Sequence, residues 1–173
     1  MSEVYRRAVP EDSEKVLKVI LGAYKSIREL GIEFHAVHAD IEMIRNNVIQ
    51  NNCYVLEQNG AIVATISHKP LQEVTPYPFL YWFAVDPLVS SKGVGSKLLR
   101  YVEEAILRDA LQASAVTLAT SRKHPWLLPM YERKGYKPFY ERALGKDDQL
   151  VFLTKILVPD AIPEQVSIPV QNQ

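Results

Sequence analysis

The sequence predicts an α/β (α+β) domain built on a mixed sheet, and three observations carry that prediction. The dipeptide Asn59-Gly60 joins two β-rich runs, the strongest short hairpin signal, because both residues tolerate the positive φ of a tight turn. Residues 79–85 are aromatic and apolar with no polar alternation, as in a strand covered on both faces. The second half of the chain then alternates strand-like and helix-like runs, ending β-α-β-α-β-β.

Taken in order, residues 4–9 read as a short strand. Pro10, Glu11, Asp12 and Ser13 supply a helix start, with carboxylates near the positive end of the helix dipole. Val16, Val19, Ile20, Ala23, Ile27 and Leu30 recur at helical spacing and mark one buried stripe, which Gly31 ends. A polar, solvated connector over residues 33–40 leads to a second short helix carrying Ile41, Ile44, Val48 and Ile49. Residues 53–57 and 61–67 are the strands of the Asn-Gly hairpin. Pro76 and Pro78 break the chain before the strand at 79–85, and Asp86-Pro87 ends that strand.

From Val94, apolar residues fall at Leu98, Val102 and Ile106, a four-residue step along one helix face. Arg100, Glu103, Glu104 and Arg108 form the solvated side of the same helix. Residues 115–120 are a strand, 126–134 a short helix closed by Gly135, and 136–141 with 150–157 a closing antiparallel pair. Residues 1–158 form the domain. The tail, 159–173, holds three prolines without helical period and reads as an extended arm or a disordered end.

Composition narrows the function classes. A length of 173 residues with 47% hydrophobic content suits one domain with its own core. Lysine plus arginine equals aspartate plus glutamate at 20 each, which removes the electrostatic argument for nucleic acid or an anionic membrane as partner. Cys53 is the sole cysteine, so neither an intrachain disulfide nor a thiolate metal cluster can form, as suits a reducing cytoplasm. The first nine residues lack the apolar core of a signal peptide, and no apolar run reaches the roughly 18 residues of a membrane span. A soluble, cytoplasmic protein is expected.

The chemistry centres on Ser90-Ser91-Lys92-Gly93-Val94-Gly95-Ser96, which follows a strand and runs directly into a helix. The first turn of a helix leaves backbone N–H groups unpaired at the positive end of the macrodipole. Two glycines let a phosphate approach that backbone, Lys92 adds charge, and the serines add hydroxyl donors. Alone, such a loop more often just starts a helix. A P-loop is excluded, since no glycine precedes Gly93 at the right distance and Lys97 follows Ser96. A dinucleotide fingerprint needs a third glycine where Leu98 stands.

Val85-Asp86-Pro87, the glycine turn, and the later Met130-Tyr131-Glu132-Arg133-Lys134-Gly135-Tyr136 together resemble the GNAT superfamily of N-acetyltransferases in order and spacing. That family carries a Gln/Arg-x-x-Gly-x-Gly/Ala loop after a strand ending in Val-Asp-Pro, and a later helix ending in a Tyr-Glu-Lys-x-Gly-Phe-like run. The resemblance extends from the strand at Val4 to the strand ending near Leu157. Ser90 replaces the family's Gln or Arg, and His124 stands where an Asn often opens the later helix.

The resemblance implies a mostly antiparallel sheet of about seven strands flanked by helices, with two splayed parallel strands. It implies acetyl-CoA as co-substrate and no metal. The pyrophosphate would lie on the backbone of residues 92–96, with Ser90 and Ser91 beside it, and the pantetheine arm along Phe83, Ala84 and Val85, with His124 a further cofactor contact. The acetyl group would pass to a primary amine of a small molecule or peptide by direct attack in a ternary complex. A backbone N–H near residues 83–85 would face the developing oxyanion. The Tyr131 hydroxyl would return a proton to the departing thiolate, its reference pKa being about 10 against about 8.5 for a thiol.

The general base stays open among Glu73, His68, His124, a solvent relay and capture of free amine. His35 and His38, near Glu33 and Asp40, belong to the connector and fall short of a zinc site, which needs three or four converging ligands. Tyr77, Phe79, Tyr81 and Trp82 suit core packing as well as an aromatic acceptor pocket, and Trp126 suits packing. Two other readings of the same residues stand beside the enzyme: a non-catalytic acyl-CoA-binding or sensing module, and an interaction scaffold. In the tail, Val166-Ser167-Ile168-Pro169-Val170 would pair with the sheet edge of a second copy in a homodimer.

Overall fold

The computed structural model describes residues 2–159, so all of the tail beyond Pro159, including the proposed homodimer segment, lies outside the described residues. Seven strands form one sheet in the order β1-β2-β3-β4-β5-β7-β6, parallel at β4–β5 and antiparallel elsewhere. They are β1 (Glu3–Arg7), β2 (Asn52–Gln58), β3 (Ala61–Leu71), β4 (Thr75–Val85), β5 (Ala115–Ser121), β6 (Lys137–Leu144) and β7 (Asp148–Ile156). The helices are α1 (Ser13–Glu29), α2 (Ile41–Gln50), α3 (Val94–Tyr101) and α4 (Leu127–Arg133). The chain divides into two compact units. One holds the residues up to His68 with Tyr81–Val102; the other holds Lys69–Leu80 with the described residues from Glu103 onward.

In the first unit, β1–β2–β3 is an antiparallel ladder with Tyr54 opposite Ile66 and Arg7 opposite Tyr54. Asn59 (φ 52°) and Gly60 (φ 83°) make the β2–β3 turn. Val16, Val19, Ile20 and Tyr24 of α1 and Ile44 and Val48 of α2 cover Cys53, Val55, Ile62 and Ala84 of the sheet. Asp40 caps α2 by accepting from Met43 N at 2.9 Å. The Arg6 guanidinium holds Asp12 at 2.7 and 2.9 Å and Glu57 at 2.7 Å, tying β1 and β2 to the entry of α1. The connector is not the solvated segment expected: His35–His38 is a turn of 3₁₀ helix, and Ala36, Val37 and Ala39 are buried.

In the second unit, β5 and β7 pair along seven registered positions from Ala115↔Ile156 to Ser121↔Leu150, whereas β4 and β5 share one, Phe79↔Thr117. Phe152 is its packing centre, with the rings of Phe79 at 5.9 Å and Tyr140 at 5.5 Å. Pro76 and Pro78 lie inside β4 rather than ahead of it. Their missing N–H groups share one edge of the strand, because alternate residues face the same neighbour, so only one ladder is short of donors.

The helix after Val94 also departs from its sequence pattern. It is α-helical to Tyr101 and π-helical over Val102–Ala110. The i→i+5 winding puts Leu107, not Ile106, in the fully buried position after Val102. It also turns Glu103 inward, to 4% exposure, where a solvated glutamate was expected.

Candidate active site

The site begins with a fault in β4. Trp82 has φ 52°, in the left-handed region that costs an ordinary side chain about 1–2 kcal/mol. A left-handed residue inside a strand is the conformation that produces a bulge, which lifts a peptide out of the ladder. On one side of it the Tyr24 hydroxyl of α1 donates to Phe83 O at 3.0 Å. On the other, the Tyr81 hydroxyl donates to Asn47 Oδ1 of α2. Burial raises the pKa of both phenols, so both remain proton donors across the physiological range.

Beyond β4 the chain makes a compact turn into α3. Asp86 N donates to Val63 O at 2.8 Å, and Asp86 Oδ1 accepts from Leu88 N at 3.0 Å. Ser90–Lys92 form one 3₁₀ turn, and Gly93 follows at φ 75°. The i→i−4 bond from Lys97 N to Gly93 O at 3.1 Å opens α3, and the amides of Val94 and Gly95 precede it at the positive end of the helix. Ser90, Lys92, Gly93 and Ser96 are exposed, whereas the Val94 side chain is buried and only its backbone serves the mouth.

The two glycines differ in purpose. A Cβ on Gly93 would meet nothing within 4 Å, which is the open approach an anion needs. A Cβ on Gly95 would lie 2.8 Å from Val85 Cγ2 and 3.2 Å from Phe83 Cζ. Gly95 is therefore demanded by the seating of α3 on β4, a role the motif alone did not reveal. Ala84, between those two contacts, points into the core.

In the second unit, Tyr131 lies near the end of α4 at 7% exposure, its ring edge-on to Tyr136 at 5.8 Å. The Tyr136 hydroxyl donates to Glu103 Oε2 at 2.5 Å, and Lys155 Nζ donates to Glu103 Oε1 at 2.9 Å. Burial and the adjoining Glu103 push the Tyr136 pKa well up. His124 Nδ1 accepts from Trp126 N and Leu127 N, both at 3.3 Å, which gives this histidine the work of capping α4.

Two of the candidate bases differ sharply in setting. Glu73 sits exposed in the turn between β3 and β4. His68 is buried against the Tyr54 ring at 5.8 Å, and its Nε2 has no hydrogen-bond partner among the described residues. Burial, then the Arg7 charge, lowers its pKa to about 4. Sequence reasoning missed Tyr24 and Asn47. Their signal was a polar tip at positions that continue an apolar stripe, four residues after Ile20 and three after Ile44. Among the described residues no group of three or more His, Cys, Asp or Glu is placed to hold a metal, and no helix is long and apolar enough to cross a membrane.

A family model described as an acetyltransferase (GNAT) domain matches residues 50–138. The S-(2-succino)cysteine N-acetyltransferase of Bacillus subtilis (strain 168) is 47% identical over 164 residues, which cover 92% of this chain and 99% of that relative. The S-alkylcysteine N-acetyltransferase of the same organism is 43% identical, covering 91% of each chain. The paiA N-acetyltransferase of Thermoplasma acidophilum, solved in complex with coenzyme A, shares the fold at TM-score 0.73 and 16% identity, over 90% of this chain and 99% of its own. The protein is an acyltransferase, an enzyme rather than a passive binding module. It belongs to the GNAT family of acetyltransferases, and its reaction is acetyl-CoA-dependent acetylation of an amine.

Proposed function

We propose that this chain acetylates the α-amino group of a cysteine whose sulfur carries an organic substituent. The observation that carries this reading is the pair of relatives, at 47% and 43% identity over more than nine-tenths of the chain. Both are named for N-acetylation of an S-substituted cysteine, and they differ only in the group on sulfur.

The donor is held at the mouth of α3. Backbone N–H groups of residues 92–96 take the pyrophosphate, with the Ser90 and Ser96 hydroxyls and the Lys92 charge around it. The open side of Gly93 and the position of this segment at the start of α3 support this assignment. Phe83, Ala84 and Val85 offer their backbone to the pantetheine arm, and His124 adds a contact at the start of α4.

In the transfer, the amine nitrogen bonds to the thioester carbon, the carbon–sulfur bond breaks, and the amine sheds a proton. A backbone N–H near Phe83 stabilises the negative charge developing on the carbonyl oxygen, helped by the raised peptide at the Trp82 bulge. The Tyr131 hydroxyl gives its proton to the leaving sulfur. His68 does not serve as base, because a group with pKa about 4 stays unprotonated when an ammonium offers its proton at pH 7. Glu73, His124, a solvent relay and capture of the free amine remain as routes for the amine proton.

The test is release of free thiol from acetyl-CoA with S-(2-succino)cysteine, S-methylcysteine, cysteine, a polyamine and a short peptide. At least one S-substituted cysteine is expected to exceed the polyamine and the peptide in kcat/KM by about 100-fold, some 2.7 kcal/mol of selective transition-state binding. Equal rates for all amines would overturn the acceptor assignment.

A further inference from the structure

We propose that Tyr24 and Asn47 are positioning residues for acyl transfer, clamping the Trp82 bulge of β4 from two helices. This rests on the reading above that the backbone beside Phe83 faces the thioester oxygen.

Trp82 holds a left-handed backbone with an indole attached, a conformation that persists only where its surroundings over-determine it. The residues on either side are fixed by separate hydrogen bonds. Phe83 O accepts from the Tyr24 hydroxyl at 3.0 Å. Without that phenol, the carbonyl would seek a donor in the sheet and draw the bulge flat. Tyr24 is itself wedged into the α1 face of the core and packs against Phe34 at 6.3 Å.

The second clamp is directional. Asn47 Nδ2 donates to Ser67 Oγ of β3 at 2.9 Å, which commits the amide nitrogen to the sheet. Its Oδ1 is left to accept, and it takes the Tyr81 hydroxyl and Asn51 Nδ2. A rotated amide would set its nitrogen against the Asn51 Nδ2 donor. Tyr81 is thus held from α2, Phe83 from α1, and the peptide between them has no route to an ordinary strand conformation. An oxyanion donor gains its effect from being aimed before the reaction begins, and these hydroxyl and amide groups do the aiming without touching substrate.

The experiment compares wild type with Tyr24→Phe, Asn47→Ala and the double variant. It reads kcat and acceptor KM on the best S-substituted cysteine, CoA affinity by calorimetry, Tm, and amide hydrogen exchange over residues 81–85. Each single variant is expected to lose at least tenfold in kcat, with KM and CoA affinity within about twofold. Exchange over 81–85 should rise at least tenfold. The double variant should lose less than the product of the singles, because the bulge relaxes only once. A kcat within twofold of wild type in Tyr24→Phe, together with unchanged exchange, would overturn the clamp, whatever happens to Tm. If wild type transfers acetyl to none of the cysteines, the acceptor reading fails, and hydrogen exchange still decides the clamp.

Discussion

A methyl group added at Gly95 would press 2.8 Å against Val85 Cγ2, so Gly95→Ala forces α3 away from β4. Overpacking of this kind costs about 1–3 kcal/mol, to be seen as a lower urea midpoint even without ligand. Gly93→Ala meets no atom but keeps φ 75°, and its cost is the left-handed penalty of about 1–2 kcal/mol. The added methyl there also fills the open approach, so CoA affinity should drop by tenfold or more, a loss that calorimetry separates from stability. Tyr131→Phe removes the hydroxyl and little volume from a buried site. Turnover is expected to fall by about 10- to 100-fold while CoA affinity stays within twofold, as for a group that acts chiefly in the transition state. His68→Gln should leave the pH profile of kcat/KM near pH 7 unchanged, because burial, then Arg7, lowers the His68 pKa to about 4.

Periodicity located the elements well wherever one residue's chemistry dominated. Asn59 and Gly60 adopt the two positive φ values that their side chains permit, and Gly31 and Gly135 close their helices with positive φ. The glycine mouth was legible for the same reason, since Gly93 is both the left-handed cap and the open approach. Illegible were features decided by distant packing. Nothing local marks Val102 as the start of a π-helix, because Ile106 and Leu107 serve the α and π registers equally well. In the π register Glu103 turns inward to meet Tyr136 and Lys155. The clamp on Trp82 was hidden likewise, as its partners lie 59 and 34 residues away from the strand positions they hold. Glu103→Ala should therefore cost about 3 kcal/mol by urea unfolding, since it strands a buried phenol and an ammonium. Glu103→Gln keeps an acceptor for one of them and should cost less than half of that.

Across the fold, His68 and Asp12 respond to acid in different pH windows. Burial, then Arg7, lowers the His68 pKa from 6.5 to about 4. Between those values the unfolded chain binds a proton that the folded chain refuses, so stability falls as pH drops from 6.5 toward 4. Asp12 works lower. Its hydrogen bonds from Arg6, and after burial's opposing effect the bond from Val9 N, hold its carboxyl below the ordinary 3.8. That contribution is complete above 3.8 and disappears as pH falls through the depressed folded value. Two substitutions separate the windows. His68→Phe keeps a ring on Tyr54 but cannot titrate, so the loss of stability between pH 7 and pH 5 should shrink by about 1 kcal/mol. Arg6→Met removes the partner of Asp12, which with Arg6 about one-third exposed should cost about 1–2 kcal/mol at pH 7 and progressively less below pH 3.5. Urea midpoints at pH 7, 5 and 3 read both effects. Equal losses for His68→Phe at pH 7 and pH 5 would mean that the folded and unfolded imidazoles bind protons alike, and the upper window would then belong to another group.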